Sequence, residues 1–522
     1  MPDLYQTDVL IIGSGIAGAT AALELAQNDI DVLLVTRANE PEESNTRYAQ
    51  GGIIYYGEND SPDSLASDLF LAGAGYNNPQ AVQRIVQDGP KLVKKILIDT
   101  LQVPFDRNEH GDYSLIKEGA HSSRRILHTA DITGMSIEIA LINFLKAHSK
   151  VKLLTGHTAI DLITPSHHSN DPLYIYKPQS CVGAYVLNQK TGEAIRCLSK
   201  NTILATGGLG DIYLRTSNPK GSRGDGLAMA YRASARVINC EFIQFHPTTF
   251  FHRHAPNYLI SEAVRGAGAR LVDSEGKPFM ERFSPEWKDL APRDIVARAI
   301  HKIMVEQEHT NVYLDLASYL SATTIKNRFP TIYSQLKNYN VDITTDLVPV
   351  VPAAHYFCGG VWVDDHGRTT ISELYAVGEV SCTGVHGANR LGSAALLEGL
   401  VWGYRAAQHI MGEIQNQDIF EERLIPDWQY AGEDLADLAL IQQDMSSIQN
   451  IMWNYVGLIR NPKRLERAWN ELRNLEFQIE QFYRMTRIND GLIGLRNAVR
   501  SALIVTAAAW ANKKSIGCNF VE

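Results

Sequence analysis

Asp8-Val9-Leu10-Ile11-Ile12-Gly13-Ser14-Gly15-Ile16-Ala17-Gly18 is the stretch from which the fold can be read. Asp8 to Ile12 is a short, largely apolar run, β-branched in part, suited to a buried parallel strand. The glycines follow at once as G-x-G-x-x-G. Ala19 to Gln27 then reads as a helix and Asp31 to Thr36 as a second strand. In this β-α-β context each glycine has a physical reason. Gly13 makes the turn, Gly15 lets backbone approach a pyrophosphate, and Gly18 lets helix pack on strand, while the helix N-terminus faces the phosphates. Gly13, Ser14, Gly15, Ala17 and Gly18 are therefore candidate dinucleotide contacts. The acidic ribose ligand expected roughly 20 residues further on is absent, and Thr36-Arg37 stands in its place.

Strand-to-glycine turns return far along the chain. Ala205-Thr206-Gly207-Gly208 follows Thr202-Ile203-Leu204, Gly224-Asp225-Gly226 opens a helix, and Ala376-Val377-Gly378-Glu379 follows Leu374-Tyr375. Together they imply one nucleotide-binding domain interrupted by an insertion, with Thr206, Gly207, Asp225 and Glu379 as further contacts. A nicotinamide-only enzyme has no need of an acidic turn so late. A flavin enzyme does, to hold the ribityl chain and ribose of FAD. The expected class is α/β: a Rossmann-type FAD-binding domain (1–240 and 354–422) with an inserted α+β capping domain (241–353) and a C-terminal helical bundle domain (423–522). In that last domain Leu492, Leu495, Val499 and Ala502 repeat at helical spacing, and Asn461-Pro462 and Asn489-Asp490-Gly491 separate the helices.

Bulk properties exclude other classes. The chain has 522 residues, 45% of them apolar, enough for a large core. Its 49 basic and 58 acidic residues leave −9, with no basic block, so no nucleic-acid partner is expected. Six cysteines at 181, 197, 240, 358, 382 and 518 form no C-x-x-C pair and read as reduced thiols, with no metal site. The apolar stretch 8–26 is interrupted by glycines and lacks a basic lead, and no membrane span is expected elsewhere. The reading is a soluble cytoplasmic protein.

A second constellation carries chemistry. Pro349-Val350-Val351-Pro352-Ala353-Ala354-His355-Tyr356-Phe357-Cys358-Gly359-Gly360 joins with His386-Gly387-Ala388-Asn389-Arg390 and Ala291-Pro292-Arg293-Asp294. One His and two Arg among glycines read as a pocket for a small dicarboxylate. Arg is the natural clamp because its planar fork makes two parallel hydrogen bonds to a carboxylate. Each of these residues alone is as well explained as a satisfied structural group; the combination points to the pocket.

Ser44-Asn45-Thr46-Arg47-Tyr48-Ala49-Gln50-Gly51-Gly52, the Glu118 to His128 segment, His246-Pro247-Thr248 and Ser261-Glu262-Ala263-Val264-Arg265-Gly266 complete the pattern. From about residue 8 to 510 the chain resembles the succinate dehydrogenase/fumarate reductase flavoproteins, and within them the branch that oxidises L-aspartate. The resemblance implies FAD held also by Ser44, Asn45, Thr46, Ala49, Gln50, Gly51 and Gly52 and by Ser393, Ala395 and Leu396. It implies oxidation of L-aspartate to iminoaspartate by hydride transfer to flavin N5, with oxygen or fumarate as acceptor. This is the first step toward quinolinate and NAD, with functional coupling to quinolinate synthase. Arg390, His355, His246 and Ser261 would hold the carboxylates and Glu118 the amine. Arg293 would transfer protons through a relay of Glu262 and Arg265, since Arg alone is a poor acid–base group. Respiratory members attach FAD through a His where Asn45 stands, so FAD is expected to be non-covalent.

Two departures stand out. Ser393-Ala394-Ala395-Leu396-Leu397-Glu398 lacks two polar side chains of the family's S-N-S-L-L-E. Ser515-Ile516-Gly517-Cys518-Asn519 lacks the Arg and His of its S-R-G-x-H. The competing expectations are a soluble fumarate reductase and a flavoprotein without catalysis. For single residues they are a solvated loop acid at Glu118, a surface salt bridge at Glu262 and Arg265, and a helix-terminal Arg at 293.

Overall fold

The computed structural model describes residues 4–57, 60–255 and 258–522. A seven-stranded sheet forms the nucleotide-binding layer. Its parallel part runs Val151–Leu154, Val32–Val35, Leu4–Ile12, Glu193–Leu204, and Leu374–Ala376 also pairs with the last of these. Two antiparallel strands, Gly183–Asn188 and His157–Ile163, extend the far side. Val9, Leu10 and Ile11 are fully buried, as befits a parallel strand covered on both faces. The register decides the site. Ile12 lies opposite Leu204, and Leu204 opposite Ala376. The three glycine turns that follow these residues therefore emerge side by side at the carboxyl edge of the sheet, where ligands of open α/β sheets bind.

Gly13 turns at φ +115°, and a Cβ there would lie 2.1 Å from the Ala205 carbonyl oxygen. A Cβ on Gly18 would lie 2.1 Å from the Gly13 carbonyl oxygen, so Gly18 serves helix–strand packing and does not line the cavity.

The insertion folds as a five-stranded antiparallel sheet in the order Tyr258–Leu259, Ile243–Phe250, Val348–Phe357, Val312–Asp315, Arg270–Val272. It has a separate apolar core, drawn from Phe250 to Val350. The strand Val348–Phe357 runs unbroken through position 354, so the return to the first domain falls inside a strand rather than at a linker.

The C-terminal helices are Leu438–Tyr455, Pro462–Met485 and Asp490–Ala511, each capped by its preceding Asp or Asn: Asp437, Asn461 and Asn489. Regular helix starts at 438 and not near 423. Pro426 and Gly432 interrupt the intervening segment, which holds one short turn at Glu422–Leu424. Leu492, Leu495, Val499 and Ala502 are all fully buried and share one apolar cluster with the nucleotide-binding sheet. The helix Asp490–Ala511 is long and apolar enough to cross a membrane by composition, which corrects the reading that nothing approaches a span, yet most of it is buried inside the molecule.

Candidate active site

One cavity runs without a break from the Gly13–Ala17 turn to Arg390. Thr36 and Arg37 line its nucleotide end. The Arg37 guanidinium donates to the Lys220 carbonyl at 2.8 Å and pairs loosely with Asp490 at 3.5 Å. The helix starting at Ile16 has no side-chain cap on Gly15, while Ile16 N–H donates to Thr46 Oγ1 at 3.0 Å. Further along, Ser44, Asn45, Thr46, Ala49, Gln50, Gly51 and Gly52 line it, as do Thr206, Gly207, Asp225 and Glu379. Gln50 Oε1 and Thr206 Oγ1 are buried without a protein partner and belong to cavity-lining residues, which suits a cofactor rich in hydroxyl and N–H groups. The residues present fit FAD.

Asn45 is locked in place. Its Nδ2 donates to Glu379 Oε2 at 3.0 Å and its Oδ1 accepts from Ser222 Oγ at 3.2 Å. Glu379 also accepts from Phe357 N–H at 3.0 Å. Burial pushes the Glu379 carboxyl up from 4.5 to about 7. A carboxyl whose folded pKa is raised contributes stability that is present at acid pH and lost as pH rises through the folded value. The FAD-free protein is therefore expected to lose melting temperature between pH 5 and pH 8. Glu379→Gln should flatten that slope, which a pH series of thermal melts reads directly.

The end of the cavity at Arg390 is built by three elements meeting. Ile53–Ile54 pairs with Ile126–Leu127, which pairs with Leu115–Ile116, and this small sheet brings Glu118 against Gly51. Glu118 is 3% exposed, which rules out a solvated loop acid. A Cβ on Gly51 would lie 2.5 Å from one of its carboxylate oxygens and a Cβ on Gly392 2.7 Å from the other, so both glycines make room for it. Ser393 Oγ donates to Glu118 at 2.7 Å and accepts from Gly52 N–H at 3.2 Å. Burial, then the charge of Glu262, raises the Glu118 pKa.

Arg293 is the first residue of the helix Arg293–Glu306 and is also buried in the cavity wall. Its Nε donates to Glu262 Oε2 at 2.7 Å. Burial alone would raise the Glu262 carboxyl, but Arg293 and Arg265 outweigh it and hold it at about 2. Glu262 and Arg265 are both buried, which rules out a surface pair. They do not form a continuous hydrogen-bonded chain with Arg293 either: Arg265 turns its Nη1 to the Asp289 carbonyl, and its Nε and Nη2 have no partner. Arg265 does not line the cavity.

His246 and His355 stand with ring centroids 5.0 Å apart. Burial, reinforced by neighbouring cationic groups, lowers both pKa values well below the ordinary one. They are thus neutral donors and acceptors at pH 7, not cations. Thr248 N–H donates to His246 Nδ1 at 3.2 Å, which leaves the ring proton on Nε2. His355 Nδ1 lies 2.7 Å from Ser217 Oγ. Ser261 caps the helix Glu262–Gly266 and lines the cavity. Ser393, Ala395 and Leu396 line it at the start of the helix Ala394–Glu413.

Three partners were not legible in the sequence. Gln244 is fully buried, and its Oε1 accepts from both Arg293 and Arg390 at 3.2 Å. Tyr356 lies against Arg390, and Ser217 orients His355. Ser217-Asn218-Pro219 carries a turn signal that could have drawn notice; a single Gln in a strand carries none. At the altered C-terminus, Asn519 is fully buried and accepts from Arg460 Nη1 at 2.5 Å.

A glycine-lined cleft opening onto His246, His355, Arg293 and Arg390 defines, with the family match, the class: an FAD-dependent oxidoreductase. The family described as FAD binding domain matches residues 8–396. An L-aspartate oxidase of Vibrio cholerae is 41% identical over 99% of this chain and 95% of its own. One of Halobacterium salinarum is 40% identical over 99% and 97%. Among solved structures, an E. coli quinol fumarate reductase superposes with TM-score 0.88 at 25% identity, covering 100% of this chain and 92% of that one. The chain belongs to the L-aspartate oxidase family.

Proposed function

We propose that the chain oxidises L-aspartate to iminoaspartate with non-covalent FAD, passing the electrons to oxygen, with hydrogen peroxide as product, or to fumarate. The observation that carries this is the state of Arg390. It is 6% exposed, its Nε has no partner, and it has no ion pair among the described residues. A buried cation left uncompensated costs several kcal/mol, so an anion belongs there. Arg390, His355, His246 and Ser261 hold the substrate carboxylates. Glu118 faces the ammonium, and its raised proton affinity suits it to take the proton that must leave nitrogen before the lone pair can assist at C2. FAD bound in the cleft supplies the two-electron acceptor for the hydrogen on C2. Arg293, held by Glu262, supplies a proton to carbon when fumarate is reduced instead. The orientation gained by fixing both carboxylates is worth several kcal/mol of the barrier. The product feeds quinolinate and NAD formation in the cytoplasm, next to quinolinate synthase.

The test is anaerobic. L-Aspartate added to the FAD-loaded protein should bleach the flavin absorbance, while succinate should bind with little bleaching. Acid should then release all of the FAD into the supernatant, because Asn45 cannot form the attaching bond. Bleaching by succinate alone, or flavin retained on the denatured chain, overturns the corresponding half of the reading.

A further inference from the structure

Among the described residues the Arg390 side chain donates one hydrogen bond, to Gln244, and its guanidinium lies over an aromatic ring. The guanidinium carbon lies 4.3 Å from the centroid of Tyr356. Tyr356 is 7% exposed on the strand Val348–Phe357, one residue beyond His355. Its hydroxyl donates to Glu398 Oε2 at 2.8 Å. Glu398, 1% exposed, also accepts from Thr383 Oγ1 at 2.5 Å, and its Oε2 lies 2.9 Å from His386 Nε2. These donors outweigh burial and keep the Glu398 carboxyl ionised.

One carboxylate therefore ties three elements together. It fixes the strand that carries His355 and the loop from Thr383 to Arg390. It also sits on the helix Ala394–Glu413, about one turn beyond Ala395, which lines the cavity. We propose that Tyr356 and Glu398 are positioning residues for the substrate clamp: the Tyr356 ring sets the plane of the Arg390 guanidinium, and Glu398 sets the ring. A guanidinium stacked on an aromatic face keeps its edge N–H groups free and fixes their direction. That is what a carboxylate needs for two parallel hydrogen bonds.

The inference rests on Arg390 being the dicarboxylate clamp. The experiment titrates succinate into FAD-loaded protein and follows the shift in flavin absorption, alongside L-aspartate kinetics, FAD affinity and thermal melts. Tyr356→Leu removes the platform and should raise the succinate dissociation constant and the KM for L-aspartate about tenfold or more, with FAD affinity within twofold. Tyr356→Phe keeps the ring but frees it from Glu398, and Glu398→Gln weakens the anchor. Each should raise both constants about threefold, with kcat changed less than KM. In an Arg390→Lys background Tyr356→Leu should have little further effect. If Tyr356→Leu does not fold, the other two variants decide. Succinate binding within twofold of the parent in the soluble variants, or losses confined to melting temperature and FAD affinity, overturns the proposal. A parent protein that binds no succinate overturns the clamp reading itself instead.

Discussion

Arg390→Lys is expected to lower kcat/KM for L-aspartate by about two to three orders of magnitude while FAD stays bound. Lys keeps the charge but loses the planar fork. It cannot stack on Tyr356 at the 4.3 Å seen for Arg390, nor hold the Nη2 contact to Gln244 while reaching a carboxylate. Charge-assisted hydrogen bonds are worth roughly 1.5–3 kcal/mol each, and about 1.4 kcal/mol is a factor of ten in rate. Losing one well-aligned bond and misdirecting the other gives the stated range. Arg423, whose side chain is 79% exposed, is the control: Arg423→Lys should change nothing beyond twofold. Steady-state kinetics with flavin absorbance as the check on loading decide it. Near-normal turnover would move the clamp to another residue.

Glu118→Gln is expected to separate two substrates. The amide fits the same space between Gly51 and Gly392, and Ser393 Oγ can still donate to its oxygen, so the change is one of charge more than shape. L-Aspartate loses the anion facing its ammonium and should be oxidised one to three orders of magnitude more slowly, through loss of a charged hydrogen bond in a dehydrated site. Fumarate has no amine, and its reduction by chemically reduced enzyme should fall less than threefold. The pH profile adds a sign. Burial and Glu262 raise the pKa of Glu118, and only its ionised form pairs with ammonium. Oxidation by the parent should therefore decline as pH falls through that raised value, and the variant should lose this acidic limb. Equal losses on both substrates would make Glu118 a structural group or part of a shared proton path.

Much of the site could be read from local sequence because nucleotide binding uses local geometry. Gly13 and Gly18 have their steric reason in the turn itself and at the end of the strand beside it, whereas the neighbours of Gly15 are Ser44 and Thr46, about 30 positions on. The later turns at Thr206 and Glu379 were legible for the same reason, as strand-to-glycine junctions. The members of the proposed dicarboxylate clamp, His246, His355, Arg293 and Arg390, were singled out by residue type, and the fold brings all four to one cavity.

What a linear reading missed depends on distant pairs. The Glu262 partner is Arg293, 31 positions away, rather than Arg265 on its own helix, because the five-residue helix Glu262–Gly266 lies against the turn Lys288–Leu290, where Arg265 donates to the Asp289 carbonyl. The histidine pKa values are lowered because the fold withdraws both rings from bulk solvent into a cavity wall beside guanidinium groups, which residue type does not reveal. Gln244, Tyr356 and Ser217 have no motif of their own. They matter only through the residues that the sheet register brings beside them.

By itself the sequence determined the strand-to-glycine turns, the breaks between the C-terminal helices at Asn461-Pro462 and Asn489-Asp490-Gly491, and the buried face of the last helix, because each follows from backbone sterics or periodicity within a short window. The tertiary structure alone decided which charges pair, which pKa values shift and in which direction, and which ring the Arg390 guanidinium lies over. Those depend on burial and on separations of a few ångströms between residues as far apart as Glu118 and Ser393, and electrostatic energy at such range is set by position rather than by order along the chain.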